Sequence, residues 1–162
     1  MPPFAATRPV NPPGASPVLT ADQAYRGLGV KARHPEKFVP AITESRLETD
    51  TENKVVRYVR FNGGPEKKEE IAFFPNCIAY FEMSPDSPDS PDSPPVRITN
   101  LLSYGPPPSN DLLLTFSFAP GPPHVSEEDA ARMSPEELND MVGKGVEKTI
   151  EVIRDMVKEG KL

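Results

Sequence analysis

Apolar residues recur at steps of three and four over the last 29 positions and at steps of two through the middle of the chain. That change of period separates a helical ending from a strand-rich body. In the ending, Leu138, Met141, Val142, Val146, Ile150, Ile153, Met156 and Val157 fall on one stripe, while Glu147, Lys148, Glu151, Arg154 and Lys158 take the other side. Ser134-Pro135-Glu136-Glu137 marks the start with an N-cap hydroxyl, a proline at the first helical position and a glutamate placed to close a capping box. Gly160 is the expected stop. Gly143 and Gly145 each cost about 1 kcal/mol against alanine within a helix. They therefore serve either close packing against a sheet or space for something else.

The body reads as short strands separated by turn residues. Six candidates run from Ile42 to Glu48, Lys54 to Phe61, Lys67 to Phe74, Cys77 to Met83, Val96 to Tyr104 and Leu112 to Phe118. Ahead of them, Phe4 to Val10 predicts an opening edge strand that Pro12-Pro13-Gly14 turns. Thr20 caps a predicted helix reaching about Arg33, with Ala24, Leu28, Val30 and Ala32 facing inward, and Pro35 opens a second short helix carrying Phe38 and Val39. The expected fold is α+β: a curved antiparallel sheet of six to seven strands wrapped around the long C-terminal helix, with two short helices after the first strand and an internal hollow between sheet and helix.

With 162 residues the chain is long enough for a single domain over 1–162 that buries roughly 70% of its unfolded surface. Its 18 basic and 24 acidic residues give a net charge of -6, and Lys67-Lys68 sits beside glutamates, so no patch suits a phosphate backbone and nucleic acid is not an expected partner. No apolar run approaches the roughly 18 residues that span a bilayer, and Met1-Pro2-Pro3-Phe4 lacks the hydrophobic core of a secretion signal. A cytoplasmic protein without a membrane partner, monomer or homodimer, is the expectation. The single Cys77, in an apolar stretch, reads as an inert thiol. The tandem Ser-Pro-Asp copies between residues 84 and 95 have nothing to bury and read as an exposed or extended loop, with a phosphorylated or partner-binding insertion as the alternative.

Most catalytic signatures are missing. There is no phosphate-cradling glycine loop, no serine elbow and no paired cysteines, and His34 and His124 lack ligand-like spacing, so neither a metal nor a cofactor is expected. The strands are more informative. Alternation puts Val55, Arg57, Val59 and Phe61 on one face, and Glu69, Ile71 and Phe73 on one face of the next strand, so each apolar row holds one charge. If Asn62-Gly63-Gly64-Pro65 centres the hairpin on Gly63, Arg57 falls opposite Glu69. The pair is then either a solvent-facing salt bridge, which a one-residue slip would give to Glu70, or a polarising pair inside a hollow. In the second case Arg57 and Glu69 are candidate catalytic residues: the guanidinium stabilises an enolate and the carboxylate moves a proton. Asn100 interrupts the apolar row Ile98, Leu102, Tyr104, so its amide faces inward and needs a partner. Tyr58, Tyr80 and Tyr104 are candidate ligand-facing hydroxyls or half-buried packing residues, and Phe73, Phe81, Met83, Phe116, Val146 and Ile150 candidate apolar wall or core.

Four stretches carry a family resemblance: Leu19 to Tyr25, Lys31 to Ile42, Ile98 to Leu101 and the ending from Ile153 to Leu162. Together they resemble the fungal AtaL-like family of the START-like, helix-grip superfamily, over most of Val18 to Leu162. The resemblance implies a helix-grip fold with a cavity beneath the long helix, and a place in fungal secondary metabolism. It also implies a hydrophobic, polyketide-derived or aromatic ligand, either cyclised or isomerised without a cofactor or simply carried. The Ser-Pro-Asp insertion departs from the family pattern.

Overall fold

A computed structural model of the chain describes residues 3–84, 95–121 and 127–162. Residues 85–94 of the Ser-Pro-Asp stretch, and His124, lie outside the described residues. Seven strands form one sheet: β1 (Phe4–Pro9), β2 (Ile42–Asp50), β3 (Lys54–Phe61), β4 (Glu66–Phe74), β5 (Ile78–Met83), β6 (Val96–Tyr104) and β7 (Leu112–Ala119). Their spatial order is β1-β7-β6-β5-β4-β3-β2, each neighbour antiparallel to the next. The six central candidates thus pair in chain order as a meander, and the opening strand closes the sheet beside β7.

Helix α1 (Ala21–Arg33) begins at Thr20, whose hydroxyl accepts from the Gln23 amide while the Gln23 side chain accepts from the Thr20 amide. The second short helix is a single 3-10 turn, Pro35–Lys37. Helix α3 (Pro135–Lys158) opens with the same reciprocal cap between Ser134 and Glu137. It ends ahead of Gly160, which has φ 69. A six-residue helix, α2 (Glu127–Arg132), precedes α3 and is too short to show a periodic stripe in the sequence.

The core lies between the inner face of the sheet and the stripe of α3, where Val142, Val146, Ile150 and Ile153 are buried with Leu28 of α1 and with Val55, Ile71, Ala79 and Leu114 of the strands. The α1–α3 crossing is close because Gly27 has no side chain, and a Cβ there would stand 2.4 Å from Ile153. The two glycines of α3 divide the alternatives posed for them. Arg8 of β1 lies across Gly143, where its Nε donates to Glu147 Oε1 at 2.6 Å and its Nη2 to the Asn139 carbonyl at 2.9 Å. A Cβ on Gly145 would meet nothing within 4 Å. The first glycine allows contact and the second leaves space.

Strand β2 is an edge and is exposed along most of its length. Its register shifts twice, and Glu44, Arg46 and Glu48 pair with Arg60, Glu66 and Lys68 of β3 and β4. Bulges and charge of this kind keep an edge from pairing with another chain.

Candidate functional site

The β3–β4 hairpin turns at Asn62 and Gly63, both at positive φ (50 and 73), and this sets the register with Arg57 opposite Glu69. Both side chains point to the concave face and are 3% exposed, which excludes the solvent-facing alternative. Arg57 Nε and Nη2 both meet Glu69 Oε2 at 2.6 Å. Arg57 Nη1 donates to the carbonyls of Lys31 (2.9 Å) and Ala32 (2.7 Å) in the last turn of α1, the negative end of that helix. The guanidinium is therefore clamped between a carboxylate and a helix terminus.

Lys31 turns into the same space. Its Nζ donates to Asn100 Oδ1 at 2.9 Å and lies 3.8 Å from the centre of the Phe116 ring. Burial lowers its amine from the ordinary 10.5 to about 7, Arg57 adds to the lowering, and Glu69 opposes it. With Asn100 Oδ1 facing the lysine, Asn100 Nδ2 is left over. Among the described residues it is the one buried side-chain nitrogen or oxygen without a hydrogen-bond partner. Unmet buried donors are costly and rare in folded proteins, so this nitrogen calls for a partner such as a water, an ion or a ligand.

These four side chains line a cavity of about 410 Å³, within the range of small-molecule sites. Phe38, Val39, Pro40 and Ala41 from the segment between the 3-10 turn and β2 form one wall, with Ile42 and Phe61 beside them. Phe81, Ile98, Phe116 and Phe118 supply the sheet floor, and Met141, Val142, Gly145 and Thr149 of α3 the roof. The exposed Lys144 and Lys148 stand at its mouth, paired with Asp140 and Glu151. An apolar chamber thus ends in a buried polar cluster of two cationic side chains, one carboxylate and one amide.

Of the candidate site residues, Arg57, Glu69, Phe81, Asn100 and Phe116 meet at this cavity. Tyr58, Phe73, Tyr104, Val146 and Ile150 do not line it. Tyr58 follows Arg57 in the strand and so faces outward, with its ring 3.8 Å from the Arg46 guanidinium. Tyr104 shares the parity of Asn100 but is the last residue of β6 and is 66% exposed. Phe73 points inward but is buried in the core. Val146 and Ile150 are buried against the sheet, and the cavity is met instead by Gly145 and Thr149, one position earlier and about 100° around the helix. Cys77 is half-buried, with its thiol 3.6 Å from the Leu102 carbonyl. His34 is exposed beside Glu36. Among the described residues no group of three His, Cys, Asp or Glu side chains is placed to hold a metal ion, and no helix is long and apolar enough to cross a membrane.

The family described as "Acetylaranotin biosynthesis cluster protein L", AtaL, matches residues 4–160. The chain belongs to the AtaL family. No match is found among curated proteins. Solved structures share the fold of this AtaL member at low identity. The di-domain ARO/CYC StfQ from the steffimycin biosynthetic pathway aligns with TM-score 0.60 and 11% identity over 97% of this chain and 51% of its own. The chain thus spans about half the length of that relative. The Aha1 dimer from Colwellia psychrerythraea aligns with TM-score 0.56 and 13% identity, over 95% of this chain and 97% of its own. A STAR-related lipid transfer protein fragment from Xanthomonas axonopodis gives 0.52 and 15%, over 86% and 80%. The architecture is the α+β helix-grip fold, a curved seven-stranded antiparallel sheet around a long C-terminal helix.

Sequence reasoning passed over most of the apolar lining, including Phe38, Phe61 and Phe118, and, within the buried polar cluster, Lys31. Its signal was present. Ala24, Leu28 and Ala32 define the buried face of α1, and Lys31 lies three residues after Leu28, on that face. It is a charge interrupting an apolar stripe, the same signature that singled out Arg57, Glu69 and Asn100.

Proposed function

We propose that the cavity binds a hydrophobic small molecule, polyketide-derived or aromatic, and that its polar end catalyses cyclisation or isomerisation of that molecule in secondary metabolism. The observation that carries this reading is the unmet Asn100 Nδ2 beside Lys31, buried at the end of an apolar chamber. Both reactions begin by removing a proton from carbon next to a carbonyl, which needs a base and a stabiliser for the oxygen that becomes negative. Asn100 Nδ2 donates to that oxygen. The Lys31 amine, neutral in half of the molecules near pH 7, takes the proton. Arg57, held by Glu69 and two carbonyls, needs no reorganisation to present fixed positive charge, and Glu69 balances the charge left on Lys31. Arg57 and Glu69 are thus the polarising pair of the proposed reaction.

A non-catalytic carrier is the second reading. The saturation of Arg57 by protein partners favours it, because a structural clamp looks the same. Native mass spectrometry of freshly purified protein identifies a bound compound, and turnover of that compound then separates the readings. Catalysis predicts that Asn100→Ala lowers turnover by about 100-fold with binding retained. A carrier predicts changed affinity and no conversion by the unmodified protein.

A further inference from the structure

We propose that Lys31 is a covalent nucleophile whose ε-amino group condenses with a ketone or aldehyde carbonyl of the cavity ligand to form an imine. This rests on the ligand-binding reading above and names the ligand class: a carbonyl compound with hydrogen on the neighbouring carbon. A nucleophilic amine must be neutral, reachable and oriented. Lys31 Nζ is hydrogen-bonded to a neutral amide oxygen and stacked on a ring, and the carboxylate of the cluster, Glu69, is directed to Arg57 instead. Arg57 adds like charge nearby, which also disfavours the ammonium.

The Asn100 amide orients both reactants. Its Oδ1 takes one N–H of the amine and so fixes the lysine, while Nδ2 on the same planar group is free to donate. A carbonyl whose carbon faces Nζ therefore brings its oxygen to Nδ2. The nitrogen lone pair forms a C–N bond as the C=O pair moves to oxygen, and a proton passes from nitrogen to that oxygen. A proton from solvent joins the new hydroxyl, which leaves as water, giving a protonated imine whose positive charge the Glu69 carboxylate stabilises as it does that of the ammonium. That cation draws electrons from the neighbouring carbon, which loses a proton to the Glu69 carboxylate and, as an enamine, attacks a second carbonyl of the same ligand, whose oxygen takes that proton as the imine cation re-forms. Hydrolysis returns the amine, so no oxidant or reductant is consumed.

Acetylacetone is the probe, because an amine converts it to an ultraviolet-absorbing enaminone with loss of one water. The full chain is incubated with it across pH, followed by absorbance and intact mass, and digested to locate the label. Binding of 1-naphthol, which has no carbonyl, is measured in parallel. The expected result is one adduct on Lys31 whose formation rises through about pH 7, absent from Lys31→Met and from Lys31→Arg, with both variants unfolding cooperatively as the unmodified protein does. Label on Lys144, Lys148 or other exposed lysines alone, rising only near pH 10.4 as ordinary lysines do, overturns the proposal. So does naphthol binding without any adduct, which leaves the cavity reading standing with Lys31 as a proton carrier. Loss of both naphthol binding and adduct in the unmodified protein overturns the cavity reading and the imine with it.

Discussion

Three charged side chains, Lys31, Arg57 and Glu69, are buried under apolar walls, and the burial of each has a different consequence. Arg57 and Glu69 satisfy one another, so removing either partner leaves an uncompensated buried charge. Arg57→Ala is expected to cost about 3–5 kcal/mol in urea unfolding, and the double change Arg57→Met with Glu69→Leu to recover most of it. A loss under about 1 kcal/mol for Arg57→Ala would show the pair to be solvated in solution. Lys31 has no such partner. Its native amine titrates at about 7 and the unfolded one at 10.5, so between those values the unfolded chain holds a proton that the native state has lost, and stability rises with pH. Below about pH 7 both states carry the proton and the penalty of burying the ammonium is complete. Lys31→Met removes that penalty, so its stability advantage over the unmodified protein should be largest near pH 6. That advantage should shrink by on the order of 4 kcal/mol towards pH 10. A difference that stays level with pH would refute a buried, weakly basic amine.

At the scale of elements, helix α3 carries one face for contact and one for space. Gly143 and Gly145 are two residues apart, and they are expected to respond oppositely to alanine. Gly143→Ala forces the flexible end of Arg8 to shift, and the weakening of its bonds to Asn139 and Glu147 should outweigh the better helix propensity, a small loss read by thermal unfolding. Gly145→Ala meets no atom and should gain up to about 1 kcal/mol. Because Gly145 borders the cavity, the same change should weaken ligand binding, a stability–function trade readable by pairing thermal unfolding with a titration. Elements were also the scale at which the sequence was most legible. Both caps, at Thr20 and Ser134, and the bounds Lys54 to Phe61 and Val96 to Tyr104 follow from local chemistry: hydroxyls before helices, and β-branched or aromatic runs between turn formers. Helix α2 was not legible, since Glu127 to Arg132 holds too few turns for a period to register.

At the scale of the whole molecule, the cavity is space left without packing contacts, which a bound ligand would supply. A ligand at one hundred times its dissociation constant should stabilise the protein by about 2.7 kcal/mol. Ile98→Trp, on the cavity floor, should abolish that ligand-dependent gain while leaving the fold assembled, as measured by thermal unfolding with and without the compound.

What the sequence determined by itself is the seven strands, helices α1 and α3 with their caps, and the alternation that groups Arg57, Glu69 and Asn100 each with an apolar row. Each of these depends on neighbours within a few residues, where period-two alternation ties every side chain of a strand to one face or the other. The structure then chose the register that sets Arg57 opposite Glu69 and turned both inward. What only the tertiary structure decided is which inward residues meet the cavity and which meet other protein. Phe73 and Phe81 have the same parity, and Val146 lies one step from Gly145, yet Phe81 and Gly145 line the space while Phe73 and Val146 are packed away from it. That choice rests on where α1 and α3 lie across the sheet. The same placement brings Lys31, from an element far away in the chain, onto the free amide of Asn100. Local pattern specifies direction, and only the packing of distant elements specifies company.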